Sequence, residues 1–152
     1  MKVNDYLQTG AADVYAAGDV TGLSGIWPNA QKQGETAALN MMGGNVEYED
    51  RFAIKNTINF FGLVSLCVGL IVPETTDVVI AREDASNYKR VIIRGGKVVG
   101  VLLQGDISHA GIWQYLIKNE ISISGIEKDI FDLNFGDFYG IRENGEYTWR
   151  TA

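Results

Sequence analysis

Cysteine, histidine and proline are scarce in this 152-residue sequence, which holds one cysteine, one histidine and two prolines. A lone Cys67 excludes an internal disulfide, a Cys-x-x-Cys redox pair and a multi-cysteine zinc or iron–sulfur site. No metal site is expected, and the thiol usage fits a reducing, cytoplasmic setting. Long hydrophobic runs are also missing. The longest, residues 60–72, is broken three times by Gly or Ser, and a membrane helix needs about twenty apolar residues. It predicts buried core rather than a membrane span. The N-terminus lacks the apolar stretch and small-residue cleavage site of a signal peptide. Basic clusters are absent too: 13 Lys and Arg stand against 19 Asp and Glu, a net charge of −6. Polyanion binding depends on cations that displace counterions from phosphates, so nucleic acid is not an expected partner.

What is present is the composition of a globular protein, 46% hydrophobic and 21% charged, with eighteen glycines that make it turn-rich rather than disordered. The helical pattern stops near residue 43, and a polar, acidic stretch follows (Asn45, Glu47, Glu49, Asp50). This predicts two pieces, 1–44 and 45–152. In the first, residues 13–17 read as a short strand cut off by Gly18-Asp19, followed by a loop with Gly22 and Gly25. From Pro28 the spacing of Ala30, Gln33, Gly34, Ala37, Ala38 and Met41 predicts a helix with one buried face, ended by Gly43-Gly44. Its small residues would allow close approach to a sheet or a ligand.

The second piece reads as α+β. Strands are predicted at residues 57–63, 65–71 and 77–82, all rich in Val, Ile and Phe. Residues 88–94 and 97–103 flank Gly95-Gly96, a pair suited to the positive φ angles of a two-residue hairpin turn. After Gly105-Asp106, Ser108 is placed to cap a helix that carries Ile112, Trp113, Tyr115 and Leu116 and runs to about Lys118. A shorter helical turn is expected within 127–133, and the aromatic tail beyond it has no assigned structure.

The segment that carries chemistry is residues 9–19, Thr-Gly-Ala-Ala-Asp-Val-Tyr-Ala-Ala-Gly-Asp. It is a polar turn and a short strand ending in Gly-Asp just before a loop and a helix. A ligand at the carboxyl end of such a strand meets a glycine with no side chain to block it, then a carboxylate able to accept hydrogen bonds from hydroxyls. The next helix turns free N–H groups and the positive end of its dipole toward the same place.

Asp13-Val-Tyr-Ala-Ala-Gly-Asp-Val20 resembles the second flavin-binding fingerprint of the pyridine nucleotide-disulfide oxidoreductase superfamily, and residues 30–41 resemble the alanine-rich Gln-Gly-x-x-Ala-Ala helix that follows it. Residues 88–111 are similar to the C-terminal domain of NADH–rubredoxin reductases and nitrite reductase flavin subunits. The resemblance implies a fold made of part of an FAD-binding α/β domain followed by a small C-terminal domain, with mostly antiparallel sheet and flanking helices. It implies that Asp19 holds the ribityl hydroxyls of FAD, that Gly18 permits close approach, and that Trp27, Asn29 and Ala30 lie near the pyrimidine edge of the ring. The implied activity is electron transfer from NAD(P)H through FAD to an acceptor, with a small redox protein or a second copy of the chain as possible partners.

Two Gly-x-Gly-x-x-Gly loops that such enzymes use for FAD and NAD(P) have no counterpart here. The expectation is therefore a C-terminal part of a longer flavoenzyme, a cloned or proteolytic piece, with no catalytic residue of its own and no turnover alone. The alternative is a non-catalytic interaction or dimerisation module. Gly105-Asp106 also follows a strand, yet a capped helix start explains it. His109 is expected as a first-turn helix residue, and Cys67 as a small buried hydrophobe. Of Phe60, Phe61, Trp113, Phe135, Phe138 and Tyr139, most are expected in the core, with Trp113 and Tyr147 the candidates for an interface.

Overall fold

The structure is a computed structural model that describes residues 1–49 and 55–149. Each stretch forms a compact unit of its own. The unit boundary falls after residue 49 rather than at 44, because Tyr48 is buried with Leu7 and Ala37 and donates its backbone N–H to Asp5 O. Asp50 lies outside the described residues.

In the first unit, the Asn4 side chain accepts the N–H groups of Tyr6 and Gln8, each at 3.0 Å, and bends the chain so that Leu7 is fully buried. Residues 13–17 do not form the expected strand. Asp13 takes a left-handed φ of 59°, and only one bridge forms, Gln8 with Tyr15. A strand needs a continuous ladder of partners for its backbone groups, and the described residues supply one position.

Helix α1 spans Trp27–Met41, with Pro28 in its first turn where a missing N–H costs nothing. Its buried residues are Asn29, Gln33, Thr36, Ala37 and Asn40. This is a helical stripe rotated from the one expected, since Ala38 and Met41 are exposed. The reason is hydrogen bonding. Asn40 alone joins Tyr6 O, Val46 O and Val46 N–H at 2.8–2.9 Å, so polar side chains rather than methyl groups seat the helix. Gly43, at φ 88°, donates to Asn40 O while Gly44 donates to Leu39 O, which is the glycine-dependent Schellman ending.

The second unit has a five-stranded antiparallel sheet of β1 (Lys55–Phe60), β2 (Leu63–Gly69), β3 (Val78–Glu83), β4 (Tyr88–Arg94) and β5 (Lys97–Gln104), in the order β1-β2-β5-β4-β3. Gly95 and Gly96 have φ of 55° and 76°, which gives the tight turn joining β4 to β5 with Arg94 opposite Lys97. Leu66 and Val68 of β2 align with Leu103 and Val101 of β5, so one face of the sheet is apolar. Helix α2 (Ala110–Lys118) lays Ile112, Trp113, Leu116 and Ile117 on that face. Ile121, Leu133 and Phe138 complete the cluster. A short hairpin, β6 (Tyr139–Ile141) with β7 (Tyr147–Trp149), follows it. No helix among the described residues is long and apolar enough to cross a membrane.

Two details depart from expectation, the start of α2 and the aromatics, while a short helical turn falls within the expected 127–133. Ser108 does not cap α2: the N-cap is His109, in a left-handed conformation without a side-chain cap bond, and Ser108 instead donates its N–H to Asp106 Oδ1 at 2.9 Å. The short helical turn is Ile130–Asp132, held by the Asp129 side chain accepting Phe131 N–H. The aromatics are mostly outside. Phe60, Phe61, Phe135 and Tyr139 are exposed, whereas Trp113 and Phe138 are buried. Phe135 and Tyr139 each meet Trp149 edge-on, the Tyr139 and Trp149 ring centroids 4.7 Å apart, and Tyr147 packs on Tyr139 at a tilt.

Two measurements check this packing. A Cβ on Gly100 would lie 1.9 Å from Leu70 O, a backbone atom that cannot rotate away. Gly100→Ala is therefore expected to lower unfolding stability by about 2–3 kcal/mol in urea titrations. The fully buried Asp77 carboxylate is paired with Arg94 at 2.7 Å and held down to about 2 from 3.8, chiefly by that guanidinium and then by the Glu74 backbone. A depressed carboxylate stabilises fully above its unfolded value and loses that contribution as pH falls toward its folded one. Urea midpoints of the wild type should therefore drop between about pH 4 and pH 2 more steeply than those of Asp77→Asn.

Candidate functional site

The candidate site is built on the Gly18 turn of the first unit. Gly18 has φ 80° and ψ −157°, a combination that side-chain-bearing residues essentially do not occupy. Both its backbone groups are held. Its N–H donates to Gln33 Oε1 at 2.8 Å, and its carbonyl accepts the Thr21 N–H at 3.0 Å and the Thr21 hydroxyl at 2.8 Å. Asp19–Thr21 then form a single 3-10 turn, closed by Gly22 N–H on Asp19 O at 3.0 Å. The backbone of Asp19 is thereby fixed while its side chain stays exposed, and its carboxylate has no hydrogen bond or ion pair among the described residues.

The start of α1 lies beside this turn. A Cβ on Gly18 would sit 3.6 Å from Ala30 Cβ, so Gly18 and Ala30 are neighbours. The N-cap of α1, Ile26, makes no side-chain cap bond, and the start of a helix carries a partial positive charge. Of the five residues expected at the site, Gly18, Asp19 and Ala30 come together. Trp27, 77% exposed, stands outward on the first turn of α1. Asn29 is buried and donates from Nδ2 to the Tyr48 hydroxyl at 3.0 Å, so its side chain serves the packing of the unit. An open hollow of about 320 Å³ lies elsewhere in this unit, along Gln8 to Asp13, and does not include the turn.

Gln33 and Thr21 hold the turn, yet their positions in the sequence marked them only as helix-face and loop residues. The available signal was a glutamine in a helical stripe otherwise made of alanine, glycine and methionine. Gly34 behaves differently from expectation. A Cβ there would meet no atom within 4 Å, so nothing among the described residues approaches it closely.

The remaining chemical side chains are accounted for in the second unit. Asp106 accepts the Ser108 N–H and pairs with Lys89 at 3.1 Å, and the Ser108 hydroxyl, then its N–H, then Lys89 hold the carboxyl well below the usual range. His109 is exposed at the start of α2. Cys67 is half-buried in β2, and burial pushes its thiol up.

A small antiparallel sheet with one helix packed across it and an aromatic hairpin defines an α+β domain. Residues 55–121 match the model of the Rubredoxin NAD+ reductase C-terminal domain. The chain is 23% identical over 153 aligned residues to Pyridine nucleotide-disulfide oxidoreductase domain-containing protein 1 of Homo sapiens, covering 88% of this chain and 31% of that protein. Among solved structures it resembles NADH:rubredoxin oxidoreductase from Clostridium acetobutylicum, with TM-score 0.57, 27% identity, and coverage of 83% of this chain and 34% of that one. Putidaredoxin reductase in its covalent complex with putidaredoxin shares the fold at TM-score 0.58 and 21% identity, over 79% of this chain and 31% of that one. Residues 55–121 thus match a rubredoxin-reductase-type C-terminal domain, and the chain is similar over most of its length to pyridine nucleotide-disulfide oxidoreductases. It spans about a third of the length of these relatives.

The two glycines should respond to alanine with opposite signs. Gly18→Ala forces a side chain into a glycine-only conformation and is expected to lower stability by about 1–3 kcal/mol. Gly34→Ala places a methyl in open space in a helix interior and should raise it by about 0.5–1 kcal/mol. Denaturant midpoints of the two variants check this, and equal effects would contradict it.

Proposed function

We propose that the chain is the C-terminal part of an FAD-dependent NAD(P)H oxidoreductase. In this reading the first unit completes an FAD-binding domain, and the second forms a cap or interface domain. The observation that carries it is the Gly18-Asp19 turn, where a fixed backbone presents an unpaired carboxylate beside the uncapped start of α1.

The residues present fit an FAD. A carboxylate accepts hydrogen bonds and donates none, which suits the hydroxyls of a ribityl chain. Gly18 has no side chain to obstruct a ligand at the turn. The positive end of the α1 dipole suits an electron-rich ring edge, and Trp27 and Ala30 flank that start. Gln33 Nε2 is a buried donor with no partner in the described chain, which marks the neighbourhood as one whose polar groups are not all used internally.

When bound, the flavin supplies the hydride and electron chemistry, and the protein supplies position and electrostatics. Asp19 orients the ribityl chain, Gly18 keeps the approach open, and the start of α1 favours electron density on the ring edge. NAD(P)H would be the electron donor, bound by segments outside this chain. A small redox protein is the acceptor class favoured by the named partners of the relatives. A homo-oligomer and a cytoplasmic location complete the proposal.

The test is flavin content. In the complete flavoprotein, Asp19→Ala removes one charge-assisted acceptor and should weaken FAD retention by about tenfold or more, read as flavin absorbance per chain. Unchanged flavin in that variant overturns the role given to Asp19. The 152 residues alone should purify without stoichiometric FAD, and a yellow preparation would show that prediction wrong.

A further inference from the structure

We infer that Gln33 is the positioning residue of the flavin-contacting turn: its carboxamide oxygen, reaching across from α1, imposes the backbone geometry that presents Asp19. The inference deepens the flavin reading and rests on it for its functional meaning, though its geometry stands apart from any ligand.

Three observations carry it. Gln33 is fully buried in the middle of α1, where a polar side chain is held only if its hydrogen bonds justify the loss of water. Its Oε1 receives the Gly18 N–H at 2.8 Å and lies 3.1 Å from the Thr21 hydroxyl. The orientation of the amide is unambiguous, because the Gly18 N–H can only donate and so must face oxygen rather than nitrogen. Gly18 itself has φ 80° and ψ −157°, and glycine surveys many conformations with nearly equal ease. Glycine permits this geometry but does not select it. Selection needs an external hold, and for the Gly18 N–H that hold is Gln33.

Thr21 extends the hold. Its hydroxyl lies 2.8 Å from Gly18 O and accepts the Leu23 N–H at 3.2 Å. One side chain on α1 thus fixes the residue before Asp19 and, through Thr21, the turn after it. The Nε2 end of the same carboxamide has no partner among the described residues. Gln33 touches neither the Asp19 carboxylate nor any reacting atom, so its role is to place Asp19 rather than to bind in its stead.

The experiment is amide hydrogen exchange on the 152-residue chain, which needs no flavin. In Gln33→Met, of similar length but without an acceptor, the Gly18 amide should exchange at least tenfold faster than in the wild type, with Ala37 inside α1 unchanged. In Gln33→Glu, which keeps an acceptor oxygen, protection at Gly18 should return to within about threefold of the wild type. Equal Gly18 protection in wild type and Gln33→Met overturns the inference. So does faster exchange spread evenly over Gly18 and Ala37 in both variants, since that is loss of fold rather than loss of a hold. If Gln33→Met unfolds the chain outright, the comparison of wild type with Gln33→Glu decides: tenfold faster exchange at Gly18 alone in Gln33→Glu overturns the inference. The flavin reading fails separately, on unchanged flavin in Asp19→Ala of the complete protein, where Gly18 exchange has no bearing.

Discussion

Strand β5 is the constraint on which the second unit depends. It hydrogen-bonds β4 along one edge and, over Gly100–Gln104, β2 along the other, which makes it the central strand of the sheet. Its inward residues Val98, Val101 and Leu103 meet α2 and the segments that follow it. On its other face, Gly100 admits Leu70 O so closely that no larger residue fits. Both faces and both edges are therefore committed, and the register of neighbouring strands follows. A one-residue slip would carry Leu66 and Val68 away from Leu103 and Val101 and expose the whole apolar row.

The first unit is organised by other means. Its apolar core is small, Leu7, Ala37 and Tyr48, too little buried hydrocarbon to fix a loop-rich segment by itself. Directional bonds supply the definition. Asn4 shapes the first bend, Asn40 ties the end of α1 to residues 6 and 46, and Gln33 reaches Gly18. Such bonds contribute modestly each, yet a buried polar group left without its partner costs more than the bond gains. Positions held this way are set by angle and distance, which suits a segment whose task is to present one carboxylate.

This contrast explains what the sequence could disclose. The Gly95-Gly96 hairpin, the sheet strands and α2 were legible because alternation, helical spacing and positive-φ glycines are local properties. The α1 stripe was misread because apolar spacing was followed, whereas Asn29 and Asn40 face inward for partners far along the chain. Ser108 looked like a cap because it stands at a helix start, but Asp106 already engages it. The exposed Phe60, Phe61, Phe135 and Tyr139 show the limit of hydrophobicity as a guide to burial. Aromatic rings in a hairpin can cover one another, so hydrophobic type alone does not place them in a core.

The two Gly-Asp pairs make the same point at the level of function. Gly18 and Gly105 have nearly the same φ, 80° and 81°, and each pair precedes a helix. Nothing in the dipeptide separates them. Around Gly105, an added Cβ would meet Ser86 O at 2.4 Å, and Asp106 is taken up by Ser108 and Lys89. Glycine there answers to its neighbours, and the carboxylate is consumed in holding the turn. Around Gly18 an added Cβ would meet nothing closer than Ala30 at 3.6 Å, and the turn is held by Gln33 and Thr21. The carboxylate of Asp19 is thereby relieved of structural duty. An acid that holds its own turn is already satisfied, whereas an acid whose turn is held by others remains available to accept from a ligand.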